Sequence, residues 1–105
     1  MSYCVVVSTT PNIEEAKKIA HGLIKNKLAA CTNIISGVTS VYMWKGEVCE
    51  DSECMLFIKT QRSLFEEVKN FIVENHSYEL PEVIMLPIEA GLEGYLNWVK
   101  ENTLL

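Results

Sequence analysis

The stretch His76-Ser77-Tyr78-Glu79-Leu80-Pro81-Glu82 gathers an imidazole, a phenol and two carboxylates within seven residues. One histidine with one or two carboxylates, here His76, Glu79 and Glu82, could bind a borderline divalent ion such as Cu(II), completed by water or a second chain. The plainer reading is a helix-to-strand loop with solvated acids. Pro81 keeps the backbone before it extended in either case. The other histidine, His21, lies beside an apolar helical stripe and reads as a surface residue. Four cysteines, Cys4, Cys31, Cys49 and Cys54, form no C-x-x-C pair. Cys49 and Cys54 are five apart, which on one continuous strand puts their thiols on opposite faces. Reduced, packed thiols are the expectation. A Cys/His pair such as Cys31 and His76 would be needed for a nucleophile and base, and nothing local activates a thiol. No Gly-rich phosphate loop, G-x-S-x-G or H-E-x-x-H occurs, so no enzymatic activity is expected.

The elements that must position these groups fit one domain, residues 1–105. Hydrophobic residues make up 49% and charged residues 22% of the chain, a globular balance that excludes disorder. A net charge of −5 without a Lys/Arg cluster argues against nucleic acid as a partner. No run approaches the roughly 18 apolar residues of a membrane span. Met-Ser-Tyr-Cys-Val-Val-Val reads as a first strand, not a signal peptide. A cytoplasmic chain is expected.

Tyr3 to Ser8 is Val-rich and reads as a buried strand. Asn12, or Thr10 with Pro11 behind it, can cap a helix whose stripe is Ile13, Ala16, Ile19, Ala20, Leu23 and Ile24. That helix is expected to stop near Lys27. An extended run from Leu28 breaks at Ser36-Gly37, resumes from Val38 to Trp44, and turns at Lys45-Gly46. The return strand runs from Glu47 to about Thr60. Ser63-x-x-Glu66 reads as a capping box opening a second helix with Leu64, Phe65, Val68, Phe71 and Ile72 on one face. Glu82 to Ile88 is a fourth strand. A short last helix follows, with Leu92, Tyr95, Leu96 and Val99 expected inward. The order β-α-β-β-α-β plus a helix predicts an α+β, ferredoxin-like sandwich with a long β-hairpin.

Such a sheet has one face without helices, yet the return strand is apolar on both. Cys54, Leu56 and Ile58 lie on one face, Met55 and Phe57 on the other. A second copy of the chain is the expected cover. Glu47, Glu50, Asp51 and Glu53 read as guards of the hairpin edge or as solvated acids.

Four stretches together resemble the CutA family, the divalent-cation tolerance proteins. They are KLAACTNI (27–34), GVTSVYMWKGEVCEDSE (37–53), IKT (58–60) and HSYELPEVIMLPI (76–88); YLNWV (95–99) is similar to that family's closing helix. The resemblance covers essentially the whole chain. It implies a ferredoxin-like protomer in a tight homotrimer of PII-like architecture, with hairpins packed between subunits. Met55 and Phe57 would then face the trimer interior, and Tyr42, Trp44, Lys59 and Tyr78 would mark a ligand cleft. It also implies tolerance of copper and other divalent cations. The metal site proposed for the family uses a thiol in the first strand-to-helix turn and tandem histidines. The matching positions here are Ser8, Asn75 and His76, so only His76 keeps a ligating side chain. Two functional classes follow: a metal-binding protein of the response to metal ions, and a PII-like regulatory or scaffolding trimer that meets a small ligand or an unidentified protein partner.

Overall fold

The computed structural model describes residues 2–104. The elements are β1 (Tyr3–Thr10), α1 (Ile13–Lys25), β2 (Cys31–Trp44), β3 (Glu47–Gln61), a 3-10 turn (Arg62–Leu64), α2 (Phe65–Asn75), β4 (Val83–Ile88) and α3 (Glu93–Glu101). The four strands form one sheet in the order β2-β3-β1-β4, and every neighbouring pair is antiparallel. This is the ferredoxin-like α+β layout that the pattern predicts.

The strand ends differ from expectation where pairing overrides local sequence. β1 runs on to Thr10 because Thr9 and Thr10 pair with Met55 and Cys54 of the long β3. Asn12 caps α1, its side-chain oxygen accepting from the Glu15 N–H at 2.8 Å. α1 ends at Lys25, two residues early. Lys27 takes φ 57°, while its N–H donates to the Ile24 carbonyl at 3.0 Å and the Leu28 N–H to that of Leu23 at 2.9 Å. This closes the last turn in the Schellman manner, with lysine where glycine is usual. The capping box is not formed. Ser63 lies in the 3-10 turn, α2 begins at Phe65, and no side chain caps it. The tight turn supplies the partner instead, since the Phe65 N–H bonds to Arg62 O.

Cys4 and Val6 of β1 and Cys54, Leu56 and Ile58 of β3 meet Ala16, Ile19 and Leu23 of α1 and Val68 and Ile72 of α2 in one buried cluster. On the opposite face, Phe57 sits between Val7 and Asn33, and Met55 between Thr9 and Ile35. Both side chains are half-buried, and Ile35, Ile84 and Leu86 around them are exposed. α3 lies at one end of this second face, where Gln61 Nε2 donates to Thr103 Oγ1 at 2.8 Å and to the Leu104 carbonyl at 3.0 Å. Its inward set is therefore smaller than expected. Val99 is buried and Leu96 half-buried, but Leu92 and Tyr95 are exposed.

Beyond the Thr10–Cys54 pair, β2 and β3 continue as a two-stranded ribbon from Val38 to Glu53. A register shift between Ile35 and Val38, with Gly37 at φ 76°, interrupts the ladder where the ribbon leaves the sheet. Lys45 (φ 51°) and Gly46 (φ 81°) close it in a two-residue turn of the primed kind, as its position in the sequence suggests. The ribbon stretches the chain to 44 × 25 × 22 Å.

Candidate functional site: an acidic, aromatic cavity at the hairpin base

The register shift exchanges parity in β2. Past it, Ser40, Tyr42 and Trp44 stand opposite Asp51, Cys49 and Glu47, on the face that also carries Glu53 and Thr9. The loop from α2 to β4 folds over the same place. The result is a cavity of about 710 Å³. Tyr42, Trp44 and Tyr78 give it aromatic walls, Glu53, Glu79 and Glu82 give it charge, and Val41 and Leu80 add apolar surface. Among the described residues no lysine, arginine or histidine lines it.

Four hydrogen bonds hold the loop in place. The His76 imidazole is fully buried. Its Nε2 lies 2.7 Å from the Thr9 carbonyl, so Nε2 carries the proton and donates. Nδ1 then accepts from the Tyr78 N–H at 3.1 Å. Glu15 Oε2 lies 3.3 Å from Nδ1 and accepts from the Ser77 N–H at 2.9 Å. The Tyr78 ring packs on the imidazole with centroids 4.7 Å apart, and its hydroxyl donates to Glu53 Oε2 at 2.7 Å. Burial first, then that bond, raises the Tyr78 phenol above its usual range. The Tyr42 hydroxyl donates to Asp51, and this bond is the main reason its pKa is pushed up to about 12. Glu82 stands on the exposed rim, yet burial on its cavity side and then the charge of Glu53 raise its carboxyl.

The structure thus brings Tyr42, Trp44, Tyr78, Glu79 and Glu82 around one cavity. It does not bring His76 into that group. Both ring nitrogens are engaged in hydrogen bonds, and among the described residues no three His, Cys, Asp or Glu side chains converge as a metal cage. The donor set therefore does not fit a tight nitrogen- or sulfur-based metal centre within one chain. Lys59 is also apart. It stands six residues along β3 from Glu53, and its ammonium donates to Asn33. Ser8, at the position matching a thiol, is buried, and its hydroxyl has no partner among the described residues. All four cysteines are free thiols, and His21 is exposed as expected. Sequence reasoning did not place Glu15 or Glu53 at this site, and read Glu53 only as an edge guard or a solvated acid. Parity held a signal for Glu53, which shares its face with Met55 and lies two residues closer to the ribbon.

The architecture defines the class: a ferredoxin-like α+β chain with an extended hairpin and a ligand-sized cavity at its base. Residues 4–102 match the family model described as CutA1 divalent ion tolerance protein. The chain belongs to that CutA1 family. It is similar to the divalent-cation tolerance protein CutA of Thermus thermophilus, with 46% identity over 94% of this chain and 96% of that protein. It is 50% identical to the chloroplastic protein CutA of Arabidopsis thaliana over 94% of this chain, but spans only 54% of that protein's length. The crystal structure of CutA1 from Oryza sativa superposes with a TM-score of 0.96 at 45% identity, over 99% of this chain and 95% of that one.

Proposed function

We propose that this chain contributes to tolerance of divalent cations as a non-catalytic homotrimer that binds the cation weakly through carboxylates. The observation that carries the reading is the placement of Glu53 and Glu82 in one cavity wall without a basic residue, in a chain of the CutA1 family. Oxygen ligands and water suit modest binding of Cu(II) or another divalent ion, with Cu(II) ahead of Zn(II) in the usual divalent order. Assembly follows from two surfaces that one chain leaves open. One is the face around Met55 and Phe57, and the other is the ribbon, whose Val41, Met43 and Val48 are 63%, 65% and 72% exposed. A two-stranded ribbon is marginal alone and needs a neighbour. Four free thiols fit a reducing, cytoplasmic setting, and no helix of the described residues is long and apolar enough to cross a membrane.

Calorimetric titration of the reduced, chelator-treated protein with Cu(II) and Zn(II) tests the reading. Uptake that Glu82→Gln weakens and that fades as carboxylates protonate is the expected result. No uptake of either ion would remove metal binding from the proposal. The second reading, a regulatory trimer with a small ligand, is favoured by the aromatic walls, which metal binding does not need.

A further inference from the structure

The cavity at the hairpin base combines features that a simple cluster of surface acids lacks. Glu53 is only 8% exposed. One of its oxygens accepts from Tyr78, and the other takes no hydrogen bond from any described residue while the side chain lines the cavity. No basic side chain of the described residues lies within ion-pair distance of it. The free oxygen is open only toward the cavity, where a mostly buried carboxylate favours a cation. Glu82 adds a second carboxylate close enough to feel the first.

The walls decide what kind of cation. A metal ion prefers a shell of converging oxygens and gains nothing from rings. Here two phenols and an indole line the space. Tyr42 and Tyr78 spend their hydroxyl protons on Asp51 and Glu53, so both rings are anchored and offer carbon faces. Aromatic faces attract ammonium groups and cover apolar stems. The chain's own Lys45 already places its ammonium 5.7 Å over the Trp44 ring from the ribbon turn, outside the cavity lining. The volume of about 710 Å³ lies in the range of small organic ligands.

We propose that this cavity is a binding site for an organic primary ammonium with an apolar or aromatic body. Its ammonium group hydrogen-bonds Glu53 and Glu82, and its body lies against Tyr42, Trp44 and Tyr78. The inference rests on the small-ligand reading of the cavity and names the ligand's chemical class. His76 is a positioning residue in it, since it fixes the Tyr78 backbone and ring and does not touch the ligand.

The test uses benzylammonium, its uncharged counterpart benzyl alcohol, and Zn(II), each titrated into the assembled wild-type protein. Binding is read from the ring resonances of Trp44 and Tyr78. Benzylammonium is expected to saturate the site at roughly millimolar concentration, as suits a ligand of its size. Benzyl alcohol is expected to bind about tenfold more weakly or worse, the usual scale for losing a charged hydrogen bond. Glu53→Gln is expected to lose about tenfold for benzylammonium, and Glu82→Gln a smaller factor. If Glu53→Gln does not fold, Glu82→Gln decides alone. Equal binding of amine and alcohol, no saturation by the amine, or variants that bind it as wild type does would overturn the proposal. Zn(II) uptake without amine binding overturns this inference but leaves the metal reading standing. A cavity that responds to neither probe removes both.

Discussion

At the residue scale, His76 carries the most weight for the least exposure. Its ring joins the end of β1 to the loop that roofs the cavity, through Thr9 on one nitrogen and Tyr78 on the other. His76→Ala removes both bonds and opens a void where a buried ring stood. A loss of about 2–4 kcal/mol in stability is expected, read by urea unfolding. If instead the variant keeps its stability and loses Cu(II) uptake, His76 is a ligand and the hydrogen-bonded role is wrong. Glu82 gives a prediction of opposite sign. Its carboxyl is raised by burial and by Glu53, so the folded chain holds that proton more tightly than the unfolded one. Below the ordinary carboxylate range both states are protonated and nothing is lost. As pH rises from the ordinary value through the raised one, the folded state comes to bear an unfavourable charge. Glu82→Gln is therefore expected to gain stability relative to wild type at neutral pH, with the gain vanishing under acid. Unfolding midpoints of the two proteins from pH 3 to 8 would check the sign.

At the scale of elements, the close approach of α1 to α2 is a sharper constraint than either helix's propensity. A Cβ on Gly22 would lie 2.3 Å from the Phe71 ring. Alanine would gain up to about 1 kcal/mol as a helix former, but overpacking costs about 1–3 kcal/mol. Gly22→Ala is expected to destabilise by about 1 kcal/mol, and the double variant with Phe71→Leu to recover the loss; thermal unfolding of both decides it. Such contacts explain what the sequence could and could not tell. Period-2 and helical stripes were legible, as was the Lys45-Gly46 turn, because each is written in neighbouring residues. Ser63-x-x-Glu66 misled because the chain enters α2 through a 3-10 turn that contains Ser63, so the serine is not at the cap position. Leu92 and Tyr95 misled because helical spacing says which residues share a face, not which surface that face meets. The cavity was half legible. Tyr78, Glu79 and Glu82 stood out by type, while Tyr42 and Trp44 came from the resemblance to the CutA family. Glu53 gained its place from the register shift at Ser36-Gly37, and Lys59 lost its place through distance along the same strand. His76 looked like a ligand because its two hydrogen-bond partners lie on backbone, where sequence carries no mark.

For the whole molecule, the question is what covers the surfaces one chain leaves open. The sheet spends one face on α1 and α2, while α3 shields only the Gln61 end of the other. Met55 and Phe57 remain half-buried between exposed Ile35, Ile84 and Leu86, and the ribbon adds Val41, Met43 and Val48. A patch of this kind, continuous with an unsupported ribbon, marks an interaction surface. In the proposed trimer Phe57 passes from half-buried to buried in each copy. Its neighbours on β1 and β2 are Val7 and Asn33, and the only cation beside it among the described residues is Lys59, two residues along the same face, whose ammonium is already engaged by Asn33. Burying a carboxylate at an assembled apolar surface costs free energy even with an ammonium nearby, because both charges lose water, and a symmetric trimer takes that cost three times over. The core of each chain is untouched, because Phe57 points away from Leu56 and Ile58. Phe57→Asp is therefore expected to sediment as a folded monomer at micromolar concentration, with a circular dichroism spectrum like that of the wild type, while the wild type sediments as a trimer. A trimeric Phe57→Asp would move the interface elsewhere, and a monomeric wild type would end the assembly proposal. The cavity's position makes a second readout available in the same experiment. Thr9, which lines it, pairs with Met55, so the cavity borders the proposed interface. Loss of the trimer is expected to weaken benzylammonium binding as well, and unchanged binding by the monomer would show that one chain builds the whole site.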